Sequence, residues 1–209
     1  ENWGLEVPLL FAAPAFEETP TLGRSNAFPL VAEEVAAVRT AAGAYEIAQY
    51  ARYEVTGRGA EAWLDGLLAG RMPDVGRIRL SPMLSEAGRL MGDLSVSRLG
   101  PERFWLTGSY YLQDWHMRWF AAHRPEADVS VENVTGAWMG FAVSGPASRE
   151  ILAGLTDQDV SDEGLPFMAV RELTVGSLPA VVGRISLTGE LGYEIVVTTA
   201  DELVLWHEL

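Results

Sequence analysis

The chain of 209 residues contains no cysteine and no lysine, and only three histidines. Without cysteine there can be no disulfide, thiolate nucleophile, iron–sulfur ligation or cysteine-type zinc site. Without lysine there is no Schiff base, no P-loop ammonium and no lysine general base. His116 and His123 are seven residues apart and His207 is distant, so no metal-ligand spacing exists. Positive charge is scarce as well. Fifteen arginines face 29 carboxylates, a formal net charge of −14, which argues against a nucleic-acid partner because phosphate binding is driven by basic surface. No run of eighteen uncharged apolar residues occurs, and the start lacks a basic segment followed by a long apolar run. A soluble, cytoplasmic protein with no membrane span is therefore expected.

What is present suffices for a sizeable core, since 48% of the residues are hydrophobic. Residues 1–29, with Pro8, Pro14, Pro20 and Pro29, read as an extended arm or linker, anchored by Trp3, Leu10, Phe11 and Phe16. Val31, Val35, Val38 and Ala42 then predict a helix that stops at Gly43. Alternating segments at 50–56, 78–84, 90–99, 104–107, 129–134, 141–143, 167–175, 181–187 and 193–197 predict strands. Helices are predicted after Gly57-Arg58-Gly59, over Leu112 to Phe120, and after Gly145-Pro146. A further helix opens at Thr199-Ala200-Asp201-Glu202 and is only two turns long at Leu209, which suggests a piece of something longer. Val55-Thr56-Gly57 leading to Leu64 is echoed by Val143-Ser144-Gly145 leading to Leu152, 88 positions later. The expected class is α+β, with mixed or antiparallel sheets flanked by helices and two related halves, 30–135 and 136–209.

Three features bear on function. Gly57-Arg58-Gly59-Ala60-Glu61-Ala62 spells G-x-G-x-x-A between a strand and a helix, but the hairpin-linked strands that follow do not continue a parallel dinucleotide fold. His116 lies on an aromatic helix face with Trp115, Trp119 and Phe120 and reads as a buried structural histidine. The third feature is the pair of acids in glycine-rich settings. Asp93 sits in a strand body, where Leu90, Gly92, Leu94 and Val96 alternate with Met91, Asp93, Ser95 and Ser97. Glu190 sits in Thr188-Gly189-Glu190-Leu191-Gly192, which reads as a hairpin tip. Glycine beside a carboxylate lets backbone approach a flat ligand, and the carboxylate accepts hydrogen bonds from ring N–H and amino groups. A nitrogen-rich heterocycle suits such a site.

Taken together, Ala37-Val38-Arg39, Gly43 to Glu46, Tyr53 to Gly57, Arg89 to Asp93, Phe104 to Ser109, Ser144 to Arg149 and Ser186 to Glu194 resemble the folate-binding aminomethyltransferase family over residues 30 to 209. The likeness is to the folate domain that follows a flavin amine-oxidase module in dimethylglycine and sarcosine dehydrogenases, more than to the free-standing glycine-cleavage T-protein. It implies tetrahydrofolate as cofactor, with its pterin in a central channel, and trapping of a one-carbon unit from a methylated amine as 5,10-methylenetetrahydrofolate. It implies Asp93 as catalytic acid/base or charge stabiliser and Glu190 as pterin anchor. Thr107 stands where T-proteins carry asparagine, and Tyr193, Leu106 and Gly92 complete the expected cofactor contacts. Arg77, Arg79 or Arg184 would serve a polyglutamate tail. The family's C-terminal barrel lies beyond Leu209, and the flavin module would be a partner. Alternatives are a folate-dependent O- or S-demethylase of the same fold, or a non-catalytic folate-binding scaffold.

Overall fold

The computed structural model describes residues 10–125 and 128–209; Trp3 lies outside them. After the proline-containing segment come α1 (Phe28–Thr40), β1 (Gly43–Glu46), β2 (Tyr50–Thr56), α2 (Ala60–Leu67), β3 (Ile78–Leu84), β4 (Leu90–Gly100) and β5 (Arg103–Ser109). Then follow α3 (Gln113–His123), β6 (Ser130–Asn133), β7 (Trp138–Ser144), α4 (Ser148–Gly154), β8 (Val170–Val175), β9 (Leu178–Gly183), β10 (Gly192–Thr198) and α5 (Glu202–Glu208). The strands form two five-stranded sheets, ordered β3-β4-β5-β2-β6 and β1-β7-β10-β9-β8. Every strand pairing is antiparallel, and neither sheet closes into a barrel.

Strand periodicity dictates how these sheets stack. Leu94 and Val96 of β4, Phe104 and Leu106 of β5, and Tyr53 and Val55 of β2 point to one side of the first sheet, where they pack on Trp63 and Leu64 of α2 and Phe120 of α3. Tyr193, Ile195 and Val197 of β10 point away from the first sheet, against Leu152 of α4 and Leu205 of α5. The two remaining faces meet. Ile78 and Trp105 of the first sheet pack on Ala142, Val170, Val181 and Val196 of the second, giving a helix, sheet, sheet, helix order of layers.

Several boundaries differ from the periodic expectation. The first helix ends at Thr40, and Gly43 opens β1, which crosses to the later sheet and pairs with β7. Val31 and Val35 stay 43% and 49% exposed, so their spacing marks a helix that buries no residue. Phe11 is 70% exposed and anchors nothing. The strand expected from residue 167 begins only at Val170, because Met168 adopts φ of +60° and cannot continue a ladder. The strand expected to run to Leu187 stops at Gly183. Beyond it the Ser186 hydroxyl accepts from the Gly189 N–H and meets Thr188 at 3.2 Å, local bonds that replace strand pairing.

Candidate functional site

The face that the first sheet turns toward the second carries Asp93 and Thr107, two of the expected site residues. Antiparallel register sets Leu80, Ser95, Thr107 and Arg52 in one row across β3, β4, β5 and β2. The neighbouring row holds Pro82 opposite Asp93 and Ser109 opposite Tyr50. From Asp93 to Tyr50 is thus two strand spacings, about 10 Å. Asp93 is exposed, and its side chain has no ion pair or hydrogen bond among the described residues. Thr107 shares that face and is half-buried.

The acid that meets this face from the second sheet is Glu194. On β10 it alternates with Tyr193 and Ile195, so their burial in the outer core sends Glu194 inward, beside Val196. Burial pushes its carboxyl above the usual carboxylate range, and the nearby Arg52 guanidinium opposes that shift. Arg52 is 2% exposed. It donates to the carbonyls of Trp138 and Ile47 at 3.3 Å each, and burial lowers it despite the attraction of Glu194. Tyr45 and Tyr50 are raised chiefly by burial, with Glu194 adding to the shift of both and a hydrogen bond with Ser144 opposing it at Tyr45. The result is a half-buried carboxylate flanked by two phenols, one guanidinium away from the row beside Asp93. Such a group can accept two parallel N–H bonds, as an aminated ring edge would offer.

The other expected residues distribute as follows. Glu190 lies in the loop between β9 and β10, its side chain 17% exposed and 3.9 Å from Arg39. The Thr188 hydroxyl and a backbone N–H hold its carboxyl below the usual range, with Arg39 adding to the effect. It lines a hollow of about 300 Å³ with Phe167, Arg184 and Ser186. A second hollow, of about 390 Å³, is lined by Arg77, Arg79, Leu80 and Met168; Asp93 lines neither. Tyr193 is fully buried on the far side of β10, and its hydroxyl accepts from Arg149 Nε at 3.0 Å and donates to the Val160 carbonyl. Leu106 is wholly buried in the first core, and Gly92 faces the same way, toward His116. Structure therefore brings Asp93 and Thr107 onto one face and turns the side chains of Leu106, Gly92 and Tyr193 from it. Glu194, Arg52, Tyr45 and Tyr50 were not singled out by sequence reasoning. The signal for Glu194 was the alternation itself, since a strand whose Tyr193, Ile195 and Val197 share one core must turn Glu194 to the opposite face. Among the described residues no cluster of His, Asp or Glu could hold a metal ion, and no helix is long and apolar enough to cross a membrane.

Known proteins share this arrangement of sequence. The mouse mitochondrial dimethylglycine dehydrogenase is 33% identical over 99% of this chain and 24% of its own length. The sarcosine oxidase alpha subunit of Rhizobium meliloti is 34% identical over 87% of this chain and 20% of its own length. The chain thus spans about a quarter or less of these curated relatives. Among solved structures, the glycine cleavage system aminomethyltransferase T from Bartonella henselae superposes with a TM-score of 0.75 at 22% identity, covering 92% of this chain and 52% of that one. The family profile described as the GCVT N-terminal domain matches residues 1–209 throughout. The chain accordingly belongs to the GCVT N-terminal domain family.

Proposed function

We propose that this chain supplies the pterin-facing part of a tetrahydrofolate-dependent one-carbon transferase, acting on carbon released from a dimethylglycine- or sarcosine-type amine. The observation that carries this reading is Glu194, a half-buried carboxylate on the inter-sheet side of β10 with no ion pair within 4 Å among the described residues. Burying a carboxylate is costly unless a partner satisfies it. An aminated heterocycle bringing two N–H groups would do so. When bound, tetrahydrofolate supplies the nucleophilic amine that accepts a carbon at the oxidation level of formaldehyde.

This chain's own residues then have distinct tasks. Glu194 orients the ring edge, and the Arg52 guanidinium opposes the upward shift that burial imposes on its carboxyl. Asp93, exposed and unpaired at the open end of the same face, accepts the proton shed as carbon–nitrogen bond formation proceeds, or stabilises the cation that precedes it. Thr107 offers one hydroxyl beside it, while Gly92 and Leu106 offer only backbone. Glu190 lines the hollow between β9 and β10, with its Oε2 buried and unpartnered among the described residues, and Tyr193 acts only through packing of β10. Within this reading residues 30–135 and 136–209 act as two halves of one binding face, and a flavin amine-oxidase module supplies the oxidised amine. A cytoplasmic setting belongs to the same reading, although the mouse relative is mitochondrial.

Calorimetric titration of the chain with tetrahydrofolate tests it. Saturable binding is expected, weakened at least about tenfold in Glu194→Gln and in Asp93→Asn, the scale of one lost charge-assisted bond. Absence of saturable binding, or equal affinity in both variants and the wild type, would refute the proposal.

A further inference from the structure

The strand that carries Asp93 is irregular immediately before it. Met83 pairs with Gly92 but Leu84 pairs with Leu90, so Met91 is the extra residue of a β-bulge. A bulge leaves one residue out of the ladder and re-aims the side chains next to it. Two consecutive residues of α3 hold this bulge. The Trp115 indole N–H donates to the Met91 carbonyl at 3.1 Å, taking up the acceptor of the extra residue. His116, fully buried, fills the space that a side chain at Gly92 would need and lies beside Gly108. A Cβ on Gly92 would stand 2.7 Å from its Nε2, and one on Gly108 would stand 3.4 Å from its Cε1.

The ring is fixed from behind. Its Nδ1 is 3.0 Å from the Tyr53 hydroxyl on β2, and its Nε2 is buried without a partner. Whichever of the two groups donates in that contact, it holds the ring from the β2 side and leaves Nε2 facing the Gly92 Cα. Burial favours the neutral imidazole. The chain of contacts from β2 through α3 to the bulge therefore ends one residue from Asp93.

We infer that Trp115 and His116 are positioning residues, which clamp the Met91–Gly92 bulge and thereby set the direction of the Asp93 carboxylate. This rests on the folate reading for the purpose of Asp93, but the clamp has its own readout. In Trp115→Phe, hydrogen exchange of the Gly92 and Asp93 amides should accelerate at least about tenfold relative to Val55 and Ile195, without any ligand. Tetrahydrofolate affinity should fall about five- to tenfold in Trp115→Phe and should not fall further when the same change is made in Asp93→Asn, because coupled positions are not additive. Gly92→Ala, which pushes against the His116 ring, should reproduce both effects should Trp115→Phe prove poorly folded. Equal losses in the wild-type and Asp93→Asn backgrounds would mean a general structural role and overturn the inference, as would unchanged exchange. A wild-type chain that binds no tetrahydrofolate overturns the folate reading alone, and the exchange data still decide the clamp.

Discussion

His116 shows how a single residue ties local chemistry to pH. Burial lowers its pKa below the ordinary imidazole value of 6.5. As pH falls through that value the unfolded chain takes up a proton that the folded chain refuses, so the unfolded state binds more protons and stability declines. Denaturant midpoints measured between about pH 8 and 5 should therefore drop on the acid side, and His116→Asn should flatten that limb even though its overall stability is lower. Glu194 has the opposite sign. Its raised carboxyl favours the folded state at low pH, and that contribution disappears as pH rises through its folded value. Glu194→Gln should thus raise the midpoint near neutral pH while weakening the ligand, a trade expected of a buried charge kept for function. The sequence identified His116 as buried from its aromatic stripe, and that is where it lies. It did not expose the unpartnered Nε2 or the two glycines beside the ring, since both depend on strands that meet across long chain separations.

Among the elements, the repeated strand, glycine and helix corner is the part most plainly written in sequence. Gly57 and Gly145, 88 positions apart, have φ of +119° and +120°, each between a strand and a helix three residues on. Only glycine adopts this conformation without strain. At Gly145 a Cβ would also press on the carbonyls of Val38 and Ala41, so Gly145→Ala should cost about 2 to 4 kcal/mol in chemical denaturation. Gly66, inside α2 with nothing within 4 Å of its Cβ position, should behave oppositely. Gly66→Ala is expected to add about 0.5 to 1 kcal/mol by restricting the unfolded chain. The β1 strand was not legible in the same way. Its four residues alternate half-buried and exposed, a pattern too short to distinguish from a loop, and only the open edge of β7 gives it a partner.

For the whole molecule, the contact between the sheets decides both stability and site. Trp105 and Trp138 meet edge to face at 4.8 Å between centroids, one from each sheet. Trp105→Ala should lower unfolding free energy by about 3 to 5 kcal/mol, and it should also reduce tetrahydrofolate affinity, since Glu194 and Asp93 lie on different sheets that this pair holds in register. Loss of stability with unchanged affinity would show that the two acids do not serve one ligand. Composition, charge and alternation by themselves determined the α+β class, the absence of cysteine and lysine chemistry, the strand that presents Asp93 and the twin glycine corners, because each follows from properties local to a few residues. Which acid of Gly189-Glu190-Leu191-Gly192-Tyr193-Glu194 enters the inter-sheet space, and which face every strand turns to its neighbour, was decided only by tertiary structure. A period of two assigns residues to alternate faces but does not name the face that a second sheet will cover.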